Sequence, residues 1–321
     1  MRASKTFYAI AGPLLYSNVI VKHMQPLSCA LKGLRVKSNE DGIQVPKLGN
    51  RKAELLPHVQ QLTIATHLCL WDAIGSGWFP NLKTVLIIPY ADGHKNQTLC
   101  GKTNQCPILD AVRPNKIVIH NSRTGNRLPR GEPQTEWPMP HHRLTVECPV
   151  LTLVFDEFIY RLAKLPRKVN YRGVDWNRVK EIRIVVTGRL GQRLSKIGQR
   201  KYTPASAYLD KKLRRVSMLA ALITGSKVPL TIYVFDYFEP SEPVMIPMQQ
   251  RLETLLARSY KAEQSSGSTP TQAKYTIKTL SDYFAEGHED ELLWQELQYW
   301  RELYQRLNDL RRSKRGGEGD Q

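Results

Sequence analysis

Leu56-Pro57-His58-Val59-Gln60-Gln61-Leu62-Thr63-Ile64 and Phe79-Pro80-Asn81-Leu82-Lys83-Thr84-Val85-Leu86-Ile87 share one spacing, apolar-x-x-apolar-x-x-apolar-x-apolar. Leu56, Val59, Leu62 and Ile64 carry it in the first stretch, and Phe79, Leu82, Val85 and Ile87 in the second. Trp176, Val179, Ile182 and Ile184 follow it a third time, and Ala111, Pro114, Ile117 and Ile119 follow it loosely. The last two positions of each phrase lie two residues apart, the interval at which strand side chains return to the same face. The first two anchor a helical or irregular approach to that strand. Apolar runs at Val150 to Phe155, Leu230 to Phe235 and Tyr275 to Leu280 extend the set to seven candidate strands.

Helical patterns lie between them, at Leu27 to Leu34, Lys52 to Val59, Leu68 to Ile74, Ile108 to Val112, Ala205 to Ile223 and Pro247 to Tyr260. Strands alternating with helices call for parallel pairing through crossover connections. The phrase is that of a leucine-rich repeat, but the strand intervals are too uneven for a regular horseshoe. The expected fold is therefore α/β: an irregular leucine-rich-repeat-like curved sheet with flanking helices on its convex side, plus a C-terminal amphipathic helix. An ordinary α/β domain with an accidental match is the alternative.

The ends of the chain have their own patterns. Ser265-Ser266-Gly267-Ser268-Thr269-Pro270 reads as a linker. Beyond it, a helix is expected from near Glu289, with Leu293, Leu297, Trp300, Tyr304 and Leu307 on one face. Its acidic start (Glu289, Asp290, Glu291) and basic finish (Arg311, Arg312, Lys314, Arg315) both suit the helix dipole. The division that results is 1–22, a helical segment; 23–264, the scaffold; 265–274, the linker; 275–313, a terminal strand and helix; and 314–321, a disordered tail.

Composition bounds the function. The 321 residues are 41% hydrophobic, enough for a sizeable core. No run reaches the roughly 18 apolar residues of a membrane span, and no signal-peptide core follows Met1, so a cytoplasmic or nuclear protein is expected. Five scattered cysteines suit reduced thiols rather than a disulfide framework. The net charge of +18 is concentrated: between Arg161 and Arg215, 17 Lys or Arg face only Asp175, Glu181 and Asp210. Such a field attracts nucleic acid, acidic proteins or anionic lipid.

Within that stretch, Arg189-Leu190-Gly191-Gln192-Arg193 is echoed by Lys196-Ile197-Gly198-Gln199-Arg200, followed by Lys201. A glycine between cations lets backbone amides and side chains approach a phosphate together, which makes Arg189, Arg193, Lys196, Arg200 and Lys201 the candidate anion or nucleic-acid contacts. A solvated basic loop is the plainer reading, and only Tyr171, Trp176 and Tyr202 are nearby to stack on bases.

Catalytic and metal constellations are thin. Cys100 and Cys106, even with His94 and His120, lack zinc-knuckle spacing. Cys100-Gly101-Lys102-Thr103 ends like a phosphate loop, but Asn96 replaces the required first glycine. Asp156 and Glu157 are adjacent and point apart on a strand, and His141-His142 with Cys148 lack an orienting partner. No metal, no cofactor and no enzymatic activity are expected.

The N-terminal stretch Arg2 to Val19 resembles the second half of an F-box as found in fungal F-box and leucine-rich-repeat-like proteins. Ser4, Lys5, Phe7, Ala11, Pro13, Leu14, Leu15 and Tyr16 match its pattern position by position. The leading helix of the box, with its Leu-Pro and Leu-rich positions, has no counterpart, so the resemblance is to an incomplete box. It implies that the segment contacts a Skp-type adaptor of a ubiquitin ligase while the repeats recruit a target. The partner-contacting residues would be Ser4, Lys5, Phe7, Pro13, Leu14, Leu15 and Tyr16. From the residues alone, Phe7, Ile10, Leu14 and Leu15 form one apolar helical face, with Pro13 breaking or restarting the helix before a strand near Val19 to Val21. That face serves equally to cover the core at the first repeat.

Overall fold

The computed structural model describes residues 5–21, 36–38, 40, 44–46, 53–65, 77–88, 112–120, 148–155, 179–186, 213, 217, 228–234, 237–238, 245–246, 248–264, 275–292, 297–298, 301–302, 305 and 309. The chain opens with helix α1 (Lys5–Tyr16) and strands β1 (Asn18–Val21), β2 (Val36–Ser38) and β3 (Gln44–Pro46). A 3-10 helix (Ala53–His58) leads into β4 (Gln61–Ala65), β5 (Thr84–Ile88), β6 (Lys116–His120), β7 (Val150–Phe155) and β8 (Glu181–Val186). After β9 (Leu230–Val234), β10 (Tyr237–Phe238) and β11 (Met245–Ile246) come helix α2 (Met248–Gln264), β12 (Tyr275–Lys278), helix α3 (Leu280–Ala285) and a 3-10 turn (Glu289–Glu291).

Eight strands form one sheet in the order β1-β4-β5-β6-β7-β8-β9-β12, while β2 with β3 and β10 with β11 form separate antiparallel pairs. Every neighbouring pair in the large sheet is parallel. The class expected from the sequence, α/β with a parallel sheet, is the one observed, and each of the seven candidate strands takes its place in it. The segment near Val19 to Val21 supplies the eighth.

Register explains why the spaced phrase makes this sheet. Leu62 lies beside Val85, Val85 beside Ile117, Ile117 beside Leu151, Leu151 beside Ile182 and Ile182 beside Leu230. Two residues on, Ile64, Ile87, Ile119, Leu153, Ile184 and Ile232 form a second row on the same face. All twelve side chains are buried. Each full burial is worth about 1.5–3 kcal/mol, so the two rows are the main source of the sheet's stability. The approach positions Leu56, Val59, Phe79, Leu82 and Val179 are buried with them, as are Leu213 and, on α2, Leu252 and Leu256.

Backbone carbonyls one step before each strand tie the entries together. Ser17 O accepts from the amides of Gln60 and Gln61, Gln60 O from Lys83 and Thr84, and Lys83 O from Lys116. Pro149 O accepts from Lys180 and Glu181, and Pro229 O from Ile182. A proline is tolerated at these entries because only its carbonyl is required.

Several boundaries differ from expectation. α1 runs through Pro13 to Tyr16 instead of breaking there. The missing N–H falls in the last turns, and the chain exits at Ser17, whose hydroxyl donates to Leu14 O at 2.8 Å. The helix expected over Lys52 to Val59 is a 3-10 helix containing Pro57. The run Tyr275 to Leu280 ends as a strand at Lys278, because Thr279 caps a helix. Glu289 to Glu291 form a 3-10 turn, not the start of a long helix, and helical positions recur only at Leu297, Gln298, Arg301, Glu302, Gln305 and Asp309 among the described residues. The expected helices at Leu27 to Leu34 and Leu68 to Ile74 and the 265–274 linker lie outside the described residues.

Candidate interaction surfaces

Two surfaces stand out, one at the N-terminal edge of the sheet and one over its second face. At the edge, α1 leans on the 3-10 helix at Ala53–His58 through Gly12. A Cβ on that glycine would sit 3.0 Å from Leu55 Cδ2, so a side chain there would have to push that methyl aside. With Gly12 turned inward, helical geometry puts Ile10 and Leu14 on the opposite side, and Ile10, Leu14 and Leu15 are 67%, 73% and 74% exposed. Pro13 and Tyr16 are partly exposed. Lys5 and Phe7 lie in the same helix, and Ser4 lies outside the described residues. Three large aliphatics this exposed on one short helix form a surface that monomeric proteins usually keep covered.

The second face of the sheet is mixed in polarity. Its rows run Gln61, Thr84, Lys116, Val150, Glu181, then Thr63, Leu86, Val118, Thr152, Arg183, Thr231, and then His120, Val154, Val185, Tyr233, Lys278, in register across the strands. Across it lies the chain's own segment from α3 to Leu292. Tyr283, Leu292 and Leu297 pack on Leu86, Val118, Val154, Val185 and Tyr233 in one buried cluster. The ring centroids of Tyr233 and Tyr283 are 5.1 Å apart, edge to face, and His288 completes the group at 5.6 Å from each.

Local sequence shapes this segment. Thr279 Oγ1 accepts from Asp282 N, and the Asp282 carboxylate accepts from Thr279 N at 2.8 Å, a capping box that starts α3. Gly287 ends it at φ 72°, with Gly287 N donating to Phe284 O and His288 N to Tyr283 O. This is a Schellman stop, and the left-handed φ favours glycine. The reversal directs His288 to Glu291 back over β8, β6 and β5.

There the carboxylates meet the sheet's cations. Glu291, fully buried, accepts from Lys116 Nζ at 3.0 Å and Arg183 Nη1 at 2.9 Å. Asp290 accepts from Lys116 Nζ at 2.9 Å and Thr84 Oγ1 at 3.0 Å, and its carbonyl accepts from Gln61 Nε2. Glu286 accepts from Lys278 Nζ at 2.6 Å and Tyr233 OH at 2.5 Å. Burial pushes the Glu286 carboxyl upward, but Lys278 and Tyr233 outweigh it and hold it down at about 2. Burial works against the Arg183 charge, yet its pair with Glu181 and the field of Glu291 raise its affinity for the proton above the usual. Burial and the hydrogen bond to Glu286 push the Tyr233 hydroxyl up.

Both histidines in this region are held neutral. Burial lowers His120 to about 4, and because a carbonyl only accepts, its Nε2–H donates to Glu291 O at 2.7 Å. His288 is lowered first by burial, with Glu291 opposing and Arg183 and Lys116 assisting. Arg183 Nη1 donates to its Nδ1 at 3.2 Å, so its own proton sits on Nε2, facing Glu286 at 3.2 Å.

The structure thus describes the N-terminal candidates from Lys5 to Tyr16 on one helix, whereas Arg189, Arg193, Lys196, Arg200 and Lys201 lie outside the described residues. Arg183, one cation of the basic stretch, points inward and is internally paired. Among the described residues no cluster of three metal-ligating side chains occurs, and no helix is long and apolar enough to cross a membrane. Cys148 is a buried thiol donating to Val150 O, and burial raises it to about 11. Sequence reasoning missed the carboxylate face altogether. Its local signals were legible: Thr279 with Asp282 three residues on, then Gly287, spells a short capped helix. No protein-family model matches the chain, and no curated protein or solved structure matches it either.

Proposed function

We propose that the chain is a non-catalytic protein-interaction scaffold, leucine-rich-repeat-like in its sheet and resembling the substrate-recognition part of a ubiquitin-ligase F-box protein. The observation that carries this reading is the exposed trio Ile10, Leu14 and Leu15, within the segment that resembles the box. Gly12 fixes the helix against Leu55, so these side chains are presented on a supported element rather than a loose end. The sheet supports the reading too, since its strands follow one another in chain order and its buried rows are built from the repeat-like phrase.

The occupant of the α1 surface is a Skp-type adaptor. Purified chain should retain the adaptor in a pull-down, and Leu14→Asp with Leu15→Asp should abolish retention while leaving the circular dichroism spectrum unchanged. Retention by neither form, or by both alike, refutes the ligase role. The second reading is nucleic-acid binding through the basic 161–215 stretch, favoured by its 17 Lys or Arg against three acids. Neutralising Arg189, Arg193, Lys196, Arg200 and Lys201 should then weaken binding and flatten its salt dependence. Binding without salt dependence excludes it.

A further inference from the structure

Lys116 and Arg183 sit on strands in the middle of the sheet, on a face that elsewhere buries Leu86, Val118, Val154 and Val185. Each is only 16% or 13% exposed, and both reach the same fully buried carboxylate oxygen of Glu291. If this face were simply half of a core, aliphatic side chains would fill it at lower cost, since desolvating an ion pair offsets most of its Coulomb gain. Buried charges of this kind are better suited to choosing a partner than to adding stability.

The way the segment occupies the face has the features of a bound peptide. Glu286 engages β9 and β12, Glu291 engages β6 and β8, and Asp290 engages β5 and β6 through its carboxylate and β4 through its carbonyl, so three acidic residues address six strands from within six residues. Tyr283 and Leu292 fill apolar ground on either side. The fit is also incomplete. Glu291 Oε2 and Thr152 Oγ1, both fully buried under the segment or on the face it covers, have no hydrogen-bond partner among the described residues. Buried polar atoms in an optimised contact are satisfied.

We propose that this second face of the sheet is a recognition site for an acidic peptide segment flanked by aromatic or aliphatic residues, and that residues 280–292 are the chain's own occupant, displaced when a partner protein's acidic segment binds. The inference rests on the scaffold reading and names the chemical class of its target. Charge complementarity selects the occupant: Lys116 and Lys278 on the sheet require carboxylates, Arg183, paired with Glu181 on its own strand, keeps Nη1 for one more acceptor, and Tyr233 with Val185 and Val154 requires an apolar neighbour. Tethered competition also sets the regulation, because a segment in cis acts at an effective concentration of about millimolar and only a better-matched or clustered acidic partner displaces it.

The test uses the full chain and a fluorescent peptide with the sequence of residues 279–297. Wild type should bind the peptide weakly. Asp290→Asn with Glu291→Gln loosens the occupant and should bind it at least about tenfold more tightly, with an affinity that falls as salt rises. Adding Lys116→Gln and Arg183→Gln to that variant should abolish the gain. Equal affinity for wild type and variant, or no binding to a variant of native circular dichroism, overturns the proposal and leaves the segment as core. Hydrogen exchange on wild type covers the case in which a variant fails to fold. Amides of 280–292 should exchange at least about tenfold faster than those of 182–186, and faster still with excess peptide, while exchange at one common rate overturns the proposal. A dimer of the variant in sedimentation, formed by trading segments between copies, also overturns it. The Leu14→Asp, Leu15→Asp chain should bind the peptide as wild type does, so loss of the adaptor and loss of the peptide report separate failures.

Discussion

On one face of the sheet, strand after strand contributes two aliphatic side chains that stack in register with those of its neighbours, from Leu62 and Ile64 on β4 to Leu230 and Ile232 on β9. On the other, the same strands contribute Thr84, Lys116, His120, Arg183 and Tyr233, which find partners on a segment at the far end of the chain. The first face draws on a non-directional force and is written into each strand locally. The second depends on directional pairs, and Lys116 and Arg183 meet Glu291 across 175 and 108 residues of sequence. One face therefore specifies that a sheet forms, and the other specifies what lies upon it.

The sharpest way to break this contrast is to remove one charge from the second face. Glu291→Ala removes the acceptor that Lys116 and Arg183 share, leaving Lys116 with Asp290 and Arg183 with Glu181, and should cost about 3 kcal/mol, with α3 and the following turn released first. Urea denaturation with hydrogen exchange checks both the magnitude and the order. On the first face, Ile182→Ala should cost about 2–5 kcal/mol by leaving a cavity between Leu151 and Leu230, and should speed exchange throughout the sheet at once. Segment-specific loosening from Ile182→Ala would erase the distinction between the faces.

Acidification should separate the faces without mutation, since both neutral histidines belong to the second. Their folded pKa values lie below the unfolded value of about 6.5, so the unfolded chain takes up protons first. The stability they contribute is complete above about pH 6.5 and lost as pH falls toward about 4. At about 1.4 kcal/mol per pKa unit, His120 alone accounts for about 3 kcal/mol. The depressed carboxyl of Glu286 extends the loss below its ordinary range toward pH 2. Urea midpoints at pH 7.5 and 4.5 should differ accordingly, and His120→Gln should shrink the difference.

The smallest effect sharpens the account of how the segment is aimed. Gly287→Ala forces a Cβ into φ 72° and should cost about 1 kcal/mol, and Thr279→Ala, which removes the cap, should cost about the same. Neither should alter the sheet's far-ultraviolet signature.

These two faces also differ in how far they could be read in advance. The eight strands follow from period-two aliphatics and the spaced phrase, because strand burial is encoded at short range. Pro13 misleads, since a proline late in a short helix can be accommodated when the chain turns out at Ser17. Asp290 and Glu291 mislead more deeply. As a cluster they suit the start of a helix dipole, and nothing nearby shows that their partners are Lys116 and Arg183. The apolar helix at Ile10, Leu14 and Leu15 was visible, but which way it faced was decided by Gly12 against Leu55, a contact 43 residues apart in the sequence.

The most direct test of the central claim is a double-mutant cycle between Arg183 and Glu291. Arg183→Met, Glu291→Gln and their combination are compared by urea denaturation. Two groups held together on the covered face should show a coupling of about 1–3 kcal/mol. Losses that add to within about 0.5 kcal/mol would mean that the segment does not rest on the sheet through this pair.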